Sequence, residues 1–258
     1  MDQREFEGRK IIVFGASSGI GRACAVQLGR RGANVILVAR NQERLAETAS
    51  QIPEGHSAIL PCDVSDFSAA EAVVKDAVKL DGVKLDGCVF SAGIVRVIPV
   101  AAISEKTLLE GYRTNLFSLY AIMKAFSSRR VSQDGSSFVS ISSYASLRQE
   151  KGQSIYAGTK AAINTYTSVA SLELAPRKIR VNALCPVMVD TPMGREFFGN
   201  LPPEQLNKDY PLGPLTAEDV ADSVMFLLSD ASKKVTGQVI AISAGYNCEK
   251  LDFNEFGN

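Results

Sequence analysis

A tyrosine four residues ahead of a lysine puts a phenol and an ammonium on one face of a helix. The chain holds this spacing three times, at Tyr120–Lys124, Tyr156–Lys160 and Tyr246–Lys250. The chemistry on offer is proton transfer. A free phenol ionises near ~10, and bringing it to neutrality takes roughly 3–4 kcal/mol of differential stabilisation. A neighbouring positive charge supplies part of that, and a phenol so tuned serves as general acid or general base. The middle copy has Ser143 just past the end of a predicted strand, whereas Tyr120 has Thr107 at the same offset and Tyr246 follows the last strand, where no helix is predicted. Ligands of open α/β sheets collect at the carboxyl ends of strands. Ser143, Tyr156 and Lys160 are therefore the set that can act together, the serine hydroxyl suiting a developing oxyanion.

A second constellation lies near the start. Ile11-Ile12-Val13-Phe14 runs into Gly15-Ala16-Ser17-Ser18-Gly19-Ile20-Gly21 and then into a helical pattern. Glycines permit a tight turn and close approach of the backbone to a pyrophosphate, and the N–H groups and dipole of the following helix favour its charge. The same stretch satisfies the G-x-S-x-G pattern of a hydrolase nucleophile, with Ser17 as the nucleophile. That reading needs a histidine, and the single one, His56, sits in a short connection where nothing directs it to Ser17. Dinucleotide enzymes choose their cofactor at the end of the second strand, where an acid takes the ribose hydroxyl of NAD and an arginine accommodates the 2′-phosphate of NADP. Here that strand ends in Val38-Ala39-Arg40-Asn41, so NADP(H) is expected over NAD(H), a solvated arginine being the plain alternative.

The elements that must hold these groups follow from the apolar pattern. Strands are predicted at 10–14, 34–38, 57–61, 87–90, 136–141, 180–184 and 238–242, and helices near 19–30, 42–51, 67–80, 105–129, 153–175 and 217–229. Their alternation predicts an α/β fold: a single doubly wound Rossmann-type domain over residues 1–258, with a seven-stranded parallel sheet and helices on both faces. The proline-rich stretch 186–215 interrupts the alternation and is expected to be a substrate lid. Lysine plus arginine equal aspartate plus glutamate at 28 each, so no nucleic-acid or anionic-membrane surface is indicated. The five cysteines are scattered and never spaced as C-x-x-C, which predicts reduced thiols, a cytoplasmic setting and no metal site. No apolar run approaches the ~18 residues of a membrane helix.

Taken in order, Gly15, Gly19 and Gly21, Asp63-Val64, Ser91-Ala92-Gly93, Asn115, Ser142-Ser143, Tyr156 with Lys160, and Asp190-Thr191 resemble the short-chain dehydrogenase/reductase family, from about residue 9 to 245. The resemblance, generally to 3-oxoacyl-carrier-protein reductases, implies hydride transfer between a nicotinamide and a carbonyl or secondary alcohol. It makes Tyr156 the acid or base, and Lys160 its partner and the holder of the nicotinamide ribose. Ser143 would bond the substrate oxygen, and Asn115 would hold a water linking Lys160 to solvent. The cofactor residues it implies are Gly15, Ser17, Ser18, Gly19, Ile20, Gly21, Arg40, Asp63, Val64, Ser91, Ala92, Gly93, Tyr156, Lys160, Pro186, Val189 and Thr191. Asp63 also reads as a helix cap and Thr191 as an ordinary turn residue. Four departures stand out: Phe14 for a threonine, Ser91 for an asparagine, Val187 for a glycine after Pro186, and Ser243-Ala244-Gly245 for Asp-Gly-Gly.

The expected partner is a small carbonyl or alcohol, free or carrier-bound, in a homotetramer or homodimer paired through the small-residue helix Ala157–Ala162. Met188, Met193, Phe197, Phe198, Leu201, Leu206, Tyr210 and Leu212 would give the lid an apolar inner face or simply pack it. Arg129, Arg130, Arg177 and Lys178 would offer a basic patch to an acidic carrier, or are solvated charges. The rival reading within the fold is a non-catalytic NADP-binding regulator.

Overall fold

Strands with apolar residues at every position must be covered on both faces. β1 (Lys10–Phe14), β2 (Asn34–Ala39), β3 (Ser57–Pro61), β4 (Leu85–Phe90), β5 (Ser132–Ile141), β6 (Arg180–Pro186) and β9 (Val239–Ile242) pair in parallel in the order β3-β2-β1-β4-β5-β6-β9. This is the expected seven-stranded, doubly wound sheet, seen in a computed structural model that describes residues 4–199 and 208–246. Period-two alternation divides the core. Ile11 and Val13 face α1 (Gly19–Arg30) and α8 (Ala217–Leu228), while Ile12 and Phe14 face α3 (Phe67–Lys79), α5 (Ser118–Phe126) and α6 (Ser154–Leu174). Each fully buried side chain of this kind contributes roughly 1.5–3 kcal/mol.

Local signals start the helices. Asn41 caps α2 (Gln42–Ala49) by accepting the Arg44 N–H at 2.8 Å, and Asp66 caps α3 through the Ala69 N–H. Capping boxes at Ser104–Thr107 and Thr216–Asp219 open α4 (Glu105–Tyr112) and α8. The cap of α3 is thus Asp66, while Asp63 accepts the Ser65 N–H in a turn of its own.

Three elements differ from the sequence reading. The helix expected over 105–129 is interrupted by one π-helical turn at Arg113–Phe117, which carries Asn115 into the interior. Strand β5 begins at Ser132, four residues before the apolar run, because its first residues pair across a register shift opposite Leu85–Gly87. The proline-rich stretch is not one irregular loop either. Val189–Asp190 (β7) pairs in parallel with Leu215–Thr216 (β8), and Pro192–Phe198 forms α7. Leu201 and Leu206 lie outside the described residues, as do Cys248, Lys250 and the side chains of Phe197 and Phe198. Among the described residues no helix is long and apolar enough to cross a membrane.

Candidate active site

The strands all point one way, so the segments leaving β1 to β6 emerge along a single edge. There they line a cleft of about 540 Å³. Of the residues expected from sequence, Gly15, Ser17, Ser18, Gly19, Ile20, Arg40, Asp63, Val64, Ser91, Ala92, Gly93, Ser143, Tyr156, Lys160, Pro186, Val189 and Thr191 line it. Gly21 and Asn115 stand behind the wall.

Gly21 shapes the loop from below. A Cβ there would sit 2.2 Å from the Gly15 carbonyl oxygen, so only glycine lets the first turn of α1 close under the loop. Gly15 has φ +77°, and a Cβ on it would meet Ser91 and Ala92 at 2.9 Å. Ser18 precedes α1 without capping it through its side chain, leaving the N-terminal amides turned to the cleft mouth. A buttress that sequence reasoning missed fixes the loop. Arg22 donates to the Ser17 carbonyl at 2.6 Å and pairs with Glu47 at 3.0 Å, and Thr48 donates to the Ala16 carbonyl at 2.9 Å.

At the end of β2, Arg40 and Arg44 are exposed cleft residues, and neither forms a salt bridge among the described residues. Burial would raise the Asp63 carboxyl, but hydrogen bonds from Ser65 and the Arg40 charge outweigh it and hold the group below its ordinary value. Thr191 caps α7, accepting the Gly194 N–H at 3.1 Å, and its methyl side packs against Gly19. It is both the turn residue of the plain reading and a cleft residue.

At the other end Lys160 is 4% exposed, and its Nζ donates to the Ile141 carbonyl at 2.8 Å. The ammonium stands 5.6 Å from the centroid of the Tyr156 ring. Desolvation pulls Lys160 down to about 8. Burial raises Tyr156 above the ordinary tyrosine value, against the lowering effect of a hydrogen bond with Ser143. The expected downward shift from the ammonium is therefore not met by the protein's own groups, because loss of water around the ring is the larger effect. Asn115 Oδ1 accepts the Ile94 N–H at 2.8 Å, while its Nδ2 donates to the Ile94 carbonyl and to Thr159 Oγ1.

Other expected groups are placed elsewhere. Tyr120 stacks on Tyr166 and Lys124 pairs with Glu71, both away from the cleft. Tyr246 does line the cleft, in a row with Tyr144 and Tyr210 whose centroids are 5.8 Å and 5.1 Å from its own. His56 hydrogen-bonds through its carbonyl to the Val35 N–H at the start of β2, the opposite edge of the sheet from Ser17, so the hydrolase pairing has no geometry. Of the four residues of the expected basic patch, Arg129, Arg130 and Lys178 are exposed and Arg177 is not. Arg177 is buried and turned inward, pairing with Asp134 at 2.7 Å and donating to the Ser127 and Ser132 carbonyls, also at the far edge.

A family model described as enoyl-(acyl carrier protein) reductase matches residues 15–247. The chain belongs to the short-chain dehydrogenase/reductase family. It is 32% identical to L-xylulose reductase of Bos taurus, over 95% of this chain and 99% of that one. It is 33% identical to the 3-oxoacyl-[acyl-carrier-protein] reductase of Chlamydia trachomatis, over 91% of this chain and 95% of that one. A putative short-chain alcohol dehydrogenase from Sinorhizobium meliloti superposes with a TM-score of 0.88 at 30% identity, covering 95% and 98% of the two chains. Members of this short-chain dehydrogenase/reductase family are oxidoreductases that use a nicotinamide cofactor. The departures from the family pattern are accommodated locally. Val187 is buried with its N–H bonded to the Ile242 carbonyl at 3.0 Å, and Ala244 adopts φ +49°.

Proposed function

We propose that this chain is an NADP(H)-dependent oxidoreductase interconverting a small carbonyl compound and a secondary alcohol, with Tyr156 as the acid and base. The observation that carries this is the convergence of Ser143, Tyr156 and Lys160 on the same cleft as the glycine loop and Arg40. The residues fit a dinucleotide. Gly15, Gly19 and the α1 amides would cradle its pyrophosphate, Asp63 and Val64 would hold the adenine, and Arg40 with Arg44 would offer two guanidinium groups to a 2′-phosphate. When bound, the nicotinamide supplies or accepts the hydride and adds its positive charge, in the oxidised form, to the surroundings of the phenol.

The chain's own groups do the rest. In reduction Tyr156 gives its proton to the substrate oxygen, and Ser143 donates a hydrogen bond to that oxygen as charge gathers on it. In oxidation the phenolate takes the alcohol proton. Lys160, held to Ile141 O, favours the phenolate and would bond the nicotinamide ribose. Asn115 holds the backbone at Ile94 and the Thr159 hydroxyl, and so the floor beneath Lys160, where a water would connect it to solvent. Thr191 and Val189, which line the cleft, would hold the carboxamide. Met188, Met193 and Tyr210 form the substrate-side wall. The whole chain is read as one domain, in a cytoplasmic setting and a homotetramer or homodimer that pairs through α6, the helix of Ala157–Ala162, where Val169 and Leu172 are exposed.

The test is oxidation of NADPH against NADH, followed by nicotinamide absorbance, with a short 3-oxoacyl thioester and a ketose as substrates and Tyr156→Phe as control. NADPH-selective turnover that disappears in the variant supports the proposal. Turnover that survives overturns the role of Tyr156. Cofactor binding without turnover of either substrate class favours a regulator on this fold.

A further inference from the structure

The turn that carries Ser143 is fastened from behind by three polar side chains from three different elements. Ser146 Oγ donates to the Ser143 carbonyl at 2.6 Å, and Asn164 Nδ2 donates to Ser146 Oγ at 2.8 Å. The Cys185 thiol donates to Asn164 Oδ1 at 3.7 Å and lies 3.6 Å from Ser146 Oγ. Ser146 belongs to the turn after β5, Asn164 to α6 one turn beyond Lys160, and Cys185 to the end of β6, fully buried. Donation runs one way along this relay, from thiol to amide oxygen, amide nitrogen to hydroxyl, and hydroxyl to the Ser143 carbonyl.

Resting on the proposed reductase function, we infer that Asn164 is a positioning residue that sets Ser143 against Tyr156 through Ser146. The helix bearing Tyr156 and Lys160 meets the β5 turn at three polar points. Lys160 bonds Ile141 O, Ser142 Oγ donates to the Lys160 carbonyl at 3.1 Å, and Asn164 reaches Ser146. The first two hold the strand end; only the third acts on the far side of Ser143. Position 164 needs a group that accepts from Cys185 and donates to Ser146 at once, and a neutral amide does both. A carboxylate of the same size cannot donate. The single hydrogen of Ser146 would turn toward it, leaving the Ser143 carbonyl with the Ser146 backbone N–H, at 3.0 Å, as its remaining donor. Misplacement of a reacting group by even ~1 Å costs rate far more than stability.

The phenol reports on the arrangement. Ser143 and Tyr156 line the same cleft, and the ionisable groups beside the ring are Lys160 on the same helix, its ammonium 5.6 Å from the ring centroid, and Cys185 from β6. Ser146→Ala leaves Lys160 and the Cys185–Asn164 contact in place, so a Ser143 freed by that change should let the phenol titrate higher.

The experiment compares Asn164→Leu, Asn164→Asp and Ser146→Ala with the wild type and Tyr156→Phe. In each relay variant kcat for carbonyl reduction should fall about tenfold while NADPH affinity, by calorimetry, stays within about twofold. The ascending limb of the pH profile for alcohol oxidation, where the phenolate forms, should move up by about half a pH unit. The Tyr156 phenol, read as the ultraviolet titration difference from Tyr156→Phe, should rise by the same amount. Folded variants with unchanged kcat and unchanged phenol titration overturn the inference. If Asn164→Leu unfolds, the isosteric Asn164→Asp and the surface-side Ser146→Ala carry the test. Wild-type turnover that is absent or survives Tyr156→Phe defeats the proposed function alone, since the phenol titration needs no substrate and still decides the relay.

Discussion

Lys160 Nζ and the carbonyl oxygen of Ile141 lie 2.8 Å apart in a bond from the middle of α6 to the last residue of β5. That one contact takes a lysine out of water and gives it a fixed place beside the Tyr156 ring. Its cost appears as a proton held less tightly, at about 8.

Stability should therefore rise with pH across one window. Between about pH 8 and the ordinary lysine value near ~10.4, the unfolded chain keeps a proton that the folded chain has released, and folding gains accordingly. Relative to Lys160→Met, the wild type should gain about 1–3 kcal/mol from pH 7.5 to 10 in denaturant unfolding. Cys62, pushed up to about 11 by burial and the charges of Asp63 and Asp66, works oppositely in both proteins, so the difference isolates Lys160. A flat difference would contradict the desolvation assigned here.

Tyr156→Phe should reduce turnover about 10²–10⁴-fold, the usual contribution of a positioned acid or base. The thermal midpoint should be little changed, since the aromatic ring that lines the cleft is kept.

Arg40→Ala and Arg44→Ala should each weaken NADPH by about tenfold and leave NADH nearly unaffected, the size expected for one solvent-exposed charge-assisted bond. The measurement is the ratio of kcat/KM for the two cofactors. Equal losses for both would mean that these arginines do not read the 2′-phosphate.

At the opposite edge of the sheet, Lys10 is buried with its ammonium against Asp81 and the Ala77 carbonyl at 2.7 Å. Removing the carboxylate with Asp81→Asn leaves a buried cation short of its counter-charge and should cost about 1–2 kcal/mol. Lys10→Met removes both charge and desolvation and should cost less. The reverse order in chemical denaturation would mean that the pair stabilises the fold outright.

Much of this molecule was legible in one dimension. Four-residue apolar runs such as Ile11–Phe14 and Val35–Val38 fix strands because both faces must be covered, and caps such as Asn41 and Ser104 fix helix starts through contacts three residues long. Glycine spacing gave the loop, since Gly21 is required by an atom only six positions away, in Gly15. The choice of Tyr156 over Tyr120 also followed from sequence, through the strand end at Ser143.

What the sequence could not decide involves partners far apart in the chain. Tyr144, Tyr210 and Tyr246 form one aromatic row only because the ends of β5 and β9 and the turn before β8 reach the same edge. Arg177 reads as a surface charge until Asp134 and the Ser132 carbonyl are brought to it. Asn164 carries no motif at all, and its role exists only where α6, β6 and the β5 turn meet. Local pattern specifies which element forms and which face is apolar. The direction of a polar side chain at a crossing of elements is set by the hydrogen bonds that burial there demands, and those depend on the packed structure.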